Sequence, residues 1–329
     1  MAVKILLTGG AGYIGSVTAK ELLDRGHEVV IIDHLGEGHI EALDRRADFT
    51  EGNIADPKVL KRAFSKYRYD AVLHFAASCI VPESLENPSL YYRNNVTSSL
   101  TLLEAMQENK TSKIIFSSPC AIYGEPDEMP MTEDTPRNPT HPYGETKLTF
   151  ERALKWYSRA YAIKAISLRY FNAAGATPDL GEDHSPETHL IPNVLNAALG
   201  NLPHVQICGK DYPTQDGTCV RDYIHVLDIA EAHILALNLE ESDSFNLGNG
   251  SGYSVLEVVQ TAEKVCGKKI PTQEAPRRPG DPTCLIASAK KAQDVLRWIP
   301  NYPTLEQIIS SAWNWLQKHP QGYSKEKKR

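Results

Sequence analysis

The chain has 329 residues, 41% of them hydrophobic and 23% charged, which is the composition of an ordinary globular protein and too apolar for a disordered one. Its length suits one large domain or two modest ones. A net charge of −6, from 35 basic and 41 acidic residues, argues against nucleic acid or a membrane surface as partner, and no apolar run reaches the ~18 residues that span a bilayer.

Met1 leads directly into a strand-like run, without the basic and long apolar regions of a signal peptide, so a cytoplasmic chain is expected. The cysteines (Cys79, Cys120, Cys208, Cys219, Cys266 and Cys284) are scattered singly, which predicts free thiols and no metal site. Lys325, Lys327, Lys328 and Arg329, with Glu326 among them, read as a solvated terminus.

In chain order, residues 3–8 form an apolar strand, 17–25 a helix and 28–33 a second apolar strand. Helix 57–67, strand 71–76, a long amphipathic helix over 90–109, strand 113–118, helix 143–161 and strand 163–169 follow. Strands that are apolar throughout and separated by helices indicate a parallel sheet covered on both faces, and right-handed crossovers make it doubly wound. Beyond Gly175 the pattern changes. Residues 177–192 are rich in Pro, Asp, Glu and His, and later segments are short and punctuated by proline. The expected architecture is α/β: a doubly wound, Rossmann-type sheet in residues 1–175, also receiving segments near 222–250. A smaller α/β lobe in 176–329 sits on the C-terminal ends of its strands.

The first strand ends in Thr8-Gly9-Gly10-Ala11-Gly12-Tyr13-Ile14-Gly15, and a helix follows. Glycines at 9, 12 and 15 suit a tight turn, close approach of a pyrophosphate to backbone, and close helix–strand packing. The helix N-terminus adds unpaired N–H groups and a positive dipole end. Asp33 closes the second strand, where a carboxylate accepts from both ribose hydroxyls and repels a 2′-phosphate. With His34 and Leu35 next and no arginine, NAD is preferred over NADP.

The segment His141-Pro142-Tyr143-Gly144-Glu145-Thr146-Lys147 opens a helix, with Tyr143 and Lys147 at i and i+4 on one face. A free phenol titrates near ~10 and is a poor base at neutral pH. A neighbouring ammonium stabilises the phenolate, so Tyr143 is a candidate general base, with Lys147 also a ligand of the nicotinamide ribose.

The glycine turn, Asp33, His74-Phe75-Ala76-Ala77, Tyr123-Gly124, Tyr143/Lys147 and Arg169-Tyr170-Phe171-Asn172 resemble the extended short-chain dehydrogenase/reductase family. Matches in both lobes, among them Val220-Arg221-Asp222-Tyr223-Ile224-His225 and Arg277-Arg278-Pro279-Gly280-Asp281, extend the resemblance along the whole chain to its UDP-glucose 4-epimerase branch. The resemblance implies a tightly bound, recycled NAD lined by Tyr13, Ile14, Asp33, Asn53, Ile54, Phe75, Ala76, Ala77, Asn94 and Phe171. It implies substrate contacts from Asn172, His189 and Leu190, with Gln206, Ile207 and Cys208 flanking uracil. Arg221 and Arg278 would clamp the diphosphate, Asp281 would hold a ribose hydroxyl, and Leu285 would stand where a side chain gates N-acetylated sugars. Two guanidinium forks suit phosphate oxygens. The implied reaction removes the 4-hydroxyl proton and the C4 hydride of a UDP-hexose, turns the 4-keto sugar over and returns hydride to its other face. Members are commonly homodimers paired through helices, and the Leu100, Leu103 and Met106 stripe could serve for that or face the core.

The chain departs from the family at Pro119, which occupies the position of a Ser or Thr hydroxyl that bonds the reacting sugar oxygen. Ser118 or a water could substitute; the enzyme could be slow; or the chain could be a non-catalytic NAD or nucleotide-sugar binder. The remaining motifs favour retained, reduced activity. Cys120 and Ala121 disfavour the dehydratase and decarboxylase relatives, which place acids there. UDP-pentoses and UDP-N-acetylhexosamines remain alternative substrates to UDP-galactose and UDP-glucose.

Overall fold

The computed structural model describes residues 2–278 and 280–323, so the basic C-terminal cluster and Pro279 lie outside the described residues. The strands are β1 (Lys4–Thr8), β2 (Glu28–Asp33), β3 (Asp48–Glu51), β4 (Ala71–His74), β5 (Lys113–Pro119), β6 (Lys164–Tyr170), β7 (Asn172–Ala174), β8 (Val205–Cys208), β9 (Val220–His225), β10 (Asp243–Leu247), β11 (Gly252–Ser254), β12 (Thr272–Ala275) and β13 (Cys284–Leu285). The helices are α1 (Tyr13–Asp24), α2 (Pro57–Lys66), α3 (Val81–Glu86), α4 (Pro88–Tyr91), α5 (Ser98–Glu108), α6 (Pro142–Tyr161), α7 (Leu190–Leu199), α8 (Val226–Ala236), α9 (Val255–Cys266), α10 (Lys290–Leu296) and α11 (Leu305–Lys318).

Seven strands form one sheet in the order β10-β6-β5-β4-β1-β2-β3. Every pairing in it is parallel. The order reverses direction at β1 and β4, which opens a crevice at their carboxyl ends, the usual ligand position in such sheets. The apolar strands need cover on both faces. Leu6, Val72 and Ile114 point into a core with Leu60 of α2, Leu103 of α5 and Phe150 of α6. Ile5, Leu73 and Ile115 point the other way, into a core with Leu22 of α1, Ile229 of α8 and Leu296 of α10. Strand β10 follows the mixed segments yet pairs in parallel with β6, from Asp243 opposite Ile166 to Leu247 opposite Tyr170. The remaining strands build a four-stranded sheet (β7, β9, β11, β13) and a β8–β12 pair, packed with α7, α9 and α11 around a third core.

Three expectations are corrected in detail, and the core reading of a fourth holds. The helix read over 17–25 begins at Tyr13, because the glycine turn leads straight into it. Strand 71–76 ends at His74, where Phe75 and Ala76 both donate N–H to the Thr8 carbonyl. The helix read over 90–109 comprises α4 and α5 joined by a π turn at Tyr92–Thr97. The Leu100/Leu103/Met106 stripe faces inward: Leu103 and Met106 are fully buried, and Leu100 packs against the same core.

Candidate active site

The glycine turn is built as its spacing requires. Gly9 has φ +77°, and a Cβ there would lie 2.5 Å from the Ala76 nitrogen. A Cβ on Gly15 would meet the Gly9 carbonyl oxygen at 2.2 Å, so this face of α1 presses on the turn. Gly12 is the N-cap of α1 and offers no side-chain acceptor, and the first turn carries no acid. The leading N–H groups therefore face outward unpaired by side chains, an anion site by geometry and dipole. Asp33 closes the other wall, its carboxylate accepting from Ala11 N–H at 3.0 Å and Leu35 N–H at 2.8 Å. A bare helix end beside a fixed carboxylate fits the pyrophosphate and ribose of NAD.

The other residues expected around NAD differ in what they offer. Ile14 lies in the first turn of α1, Ile54 is buried, and Phe75 packs its ring on His233 at 4.5 Å. Ala76 and Ala77 follow β4 directly. The Tyr13 hydroxyl is already committed to the Gly175 carbonyl at 2.6 Å. Asn53 accepts Ala55 N–H through its amide oxygen at 2.8 Å, leaving that oxygen one further lone pair. Asn94 donates to the Ser78 hydroxyl at 2.9 Å from within the π turn, a helix irregularity often found at functional sites. Its neighbour Asn95 was not singled out by sequence. It is buried and ties Ser78 backbone to Thr146 of α6, bonding Ser78 N–H at 2.8 Å and the Thr146 hydroxyl at 3.2 Å.

Helix α6 delivers the reacting pair. His141 is its N-cap, accepting Gly144 N–H at 3.2 Å, and Pro142 takes the first position, where its missing N–H costs nothing. Gly144 lets the helix end abut the turn after β5: a Cβ there would stand 2.6 Å from the Ala121 carbonyl. Tyr143 lies on this first turn, its ring parallel to that of His141 at 6.0 Å and edge-on to Tyr91 at 6.4 Å. One turn on, Lys147 is buried and donates to the Ser117 carbonyl at 3.0 Å, with its ammonium 4.7 Å above the Phe116 ring. Burial lowers the Lys147 amine to about 8 and raises the Tyr143 phenol well above its ordinary value. Both shifts favour neutral groups, so a cation at the site is what would release the phenol proton.

One further turn along the same stripe stands Glu151, which sequence reasoning missed. It pairs with buried Arg169 through two bonds, of 3.0 and 2.7 Å, and accepts from Ser118 at 2.6 Å. Arg169 also donates to the Tyr123 hydroxyl at 2.9 Å, and Tyr123 to Asn246 at 2.6 Å. This network locks the carboxyl ends of β5, β6 and β10 together behind the site. It also removes Ser118 as a stand-in for the missing hydroxyl: Ser118 is fully buried and already bonded, on the strand face opposite Pro119. Ser117 shares the Pro119 face and shares a hydrogen bond with Tyr170.

The residues expected on the substrate side lie on the smaller sheets, at the start of α7 and in the segment between β12 and β13. Asn172 donates to the Asp222 carbonyl at 3.0 Å. Leu285 pairs opposite Arg221 in the register of β13 and β9, and it packs with Phe171, Ile122 and Tyr123. Cys120 lies against this apolar cluster. Arg221 is buried and ion-paired with Asp281, so the two expected substrate ligands hold each other. Arg278 is exposed. Gln206 and Cys208 flank Ile207 on β8, but the Ile207 side chain is buried in the core, leaving only its backbone for a base. Leu190 opens α7, with His189 as its N-cap. His189 gathers with Glu182, His184 and Glu187, a grouping that the sequence hides in an irregular loop. All six cysteines are free. Among the described residues no helix is long and apolar enough to cross a membrane.

A sequence model of the NAD dependent epimerase/dehydratase family matches residues 5–248. The chain is 52% identical over 330 residues to the UDP-glucose 4-epimerase of Halalkalibacterium halodurans, covering 98% of each. A crystal structure of a UDP-glucose 4-epimerase matches with a TM-score of 0.95 at 51% identity, over 98% of this chain and 100% of that one. The UDP-glucose 4-epimerase of Bifidobacterium longum in complex with NAD+ and UDP matches with a TM-score of 0.94 at 40% identity, over 97% of this chain and 100% of that one.

Proposed function

The chain belongs to the NAD dependent epimerase/dehydratase family, and from that membership we infer that it is an isomerase inverting C4 of a UDP-hexose, UDP-galactose to UDP-glucose and back. The observation that carries this reading is the Tyr143–Lys147 face of α6, set by Gly144 against the turn after β5 at the carboxyl end of the parallel sheet.

In this reading Gly9, Gly12 and Gly15 admit the NAD pyrophosphate, Asp33 takes its adenosine ribose, and Lys147 its nicotinamide ribose. Bound NAD would supply hydride chemistry at C4 with no net redox change and, oxidised, a positive charge beside Tyr143 and Lys147. Tyr143 takes the proton of the sugar 4-hydroxyl and gives it back after the ring has turned. Arg221 and Arg278 hold the diphosphate, with Arg221 exchanging its Asp281 partner for phosphate and freeing Asp281 for a ribose hydroxyl. Clamping at the nucleotide end leaves the hexose free to present either face. Residues 1–175 with β10 carry the cofactor and 176–329 most of the nucleotide-sugar contacts. Leu285 is smaller than an aromatic gate, which keeps the larger N-acetylated sugars as secondary substrates. A homodimer fits the exposed Trp156 and Tyr161 at the end of α6 with Leu90 and Tyr92 nearby in sequence to α5.

Replacing Tyr143 by Phe should leave the fold and NAD binding intact and lower kcat about 10²- to 10⁴-fold, the usual worth of a general acid–base group. Steady-state turnover of UDP-galactose measures it, and near-normal turnover would remove Tyr143 as the base.

A further inference from the structure

The loop between β7 and α7 carries Glu182, His184, Glu187 and His189, spaced E-x-H-x-x-E-x-H. Folding brings one ligating atom of each within 4.8 Å of the other three. His189 Nδ1 lies 2.7 Å from Glu182 Oε1 and 2.9 Å from Glu187 Oε1. His184 Nδ1 lies 3.4 Å from Glu182 Oε1 and 4.0 Å from Glu187 Oε2. The loop is braced from outside. Tyr323 N–H donates to Asp183 at 2.9 Å, and Gly181 N–H donates to the Tyr323 hydroxyl at 3.1 Å. Glu187 Oε1 accepts the backbone N–H groups of Thr188 and His189, both at 2.8 Å, which fixes the carboxylate and leaves Oε2 turned to His184. Beside the cluster lies a cavity of about 290 Å³, lined in part by Glu182, His184 and Glu187.

Hydrogen bonding does not account for one atom. His184 Nδ1 is buried without a hydrogen-bond partner, although two carboxylates lie within 4.0 Å. A buried imidazole nitrogen so placed needs an explanation. In the tautomer with its proton on Nε2, the Nδ1 lone pair would face carboxylate lone pairs, a contact that a cation between them would relieve.

We propose that Glu182, His184, Glu187 and His189 form a structural site for a divalent cation of the zinc class. Zinc bonds to imidazole and carboxylate are ~2.0–2.2 Å, which puts tetrahedral ligand atoms about 3.3 Å apart, inside the range of separations found here. Two carboxylates neutralise a divalent charge. Two imidazoles select a zinc-class ion over calcium or magnesium, which take oxygen ligands. Four protein ligands close the coordination sphere, as structural zinc sites do. The ion would staple the loop that ends in His189 and Leu190. The site shares His189 with the expected substrate contacts, but its test reads metal binding alone and so stands or fails apart from the epimerase reading.

The test uses the untagged full-length protein, stripped with chelator and titrated with Zn²⁺ alone by calorimetry and with Co²⁺ by visible absorption. The expected result is one equivalent per chain, tetrahedral Co²⁺ bands, and a Tm raised by Zn²⁺. His184→Ala and Glu187→Gln, each checked for folding by circular dichroism, should weaken binding at least about tenfold. No stoichiometric binding by the wild type overturns the proposal, whatever the variants do. So does binding that survives both substitutions at full strength, since the ion then sits elsewhere.

Discussion

Pro119 ends β5 in extended geometry, paired with Tyr170, and it fits the strand because it is the last residue of the ladder. What it removes is a hydroxyl on the face shared with Ser117. Ser118 cannot replace it, being held by Glu151 on the other face. In the proposed mechanism Tyr143 and Lys147 then act with one fewer hydrogen bond to the reacting oxygen. Such a bond is worth up to about 10²-fold in rate where it strengthens in the transition state. Pro119→Ser should therefore raise kcat, by about tenfold, with little change in KM. An unchanged kcat would mean that another group, such as Ser117 or a water, already supplies the bond. Residue by residue, the positions that sequence revealed are those whose chemistry is local. Gly9, Gly15, Asp33 and Tyr143 sit in short motifs. Asn95 and Glu151 act through contacts 17 or more residues away, so no motif marks them.

At the scale of elements, the apolar strands and the helices between them were legible because hydrophobic period and glycine breaks are local signals. Strand β3 was not: Asp48-Phe49-Thr50-Glu51 has one apolar residue, as suits an edge strand with one neighbour. The π turn was hidden inside a helical period that its extra residue barely disturbs. The interiors around α8 and β4 also carry a pH signature. His225 caps α8 and stacks on Tyr302 at 4.0 Å, His233 lies one side of the sheet against Phe75, and His74 bonds Thr8 at 2.7 Å and Ser99 at 2.8 Å. Burial lowers His225 and His233 to about 4 and His74 to about 3. The unfolded chain takes up these protons near ~6.5, so lowering the pH from 7 to 5 favours unfolding by about 2 kcal/mol per histidine. Asp222, raised by burial to about 6, works in the opposite sense and offsets only about 1 kcal/mol. Tm should fall across this range in calorimetry, less steeply in His225→Gln; a Tm that is flat or rises towards pH 5 would contradict the assignment.

Over the whole molecule, the parallel sheet carries the crevice at its carboxyl edge, and the smaller sheets carry Arg221 and Leu285, with Asp281 paired to Arg221. The large sheet needs β10 from late in the chain to complete it, which ties the two halves into one unit. That tie joins residues 166 and 243. The central claim is that this unit holds NAD tightly enough to recycle it and inverts C4 of a UDP-hexose. Proton NMR of the purified protein with UDP-galactose and no added NAD, following the anomeric signals, tests it most directly. The account predicts that UDP-glucose appears and approaches equilibrium with UDP-galactose. Unchanged UDP-galactose, even after NAD is supplied, would contradict it.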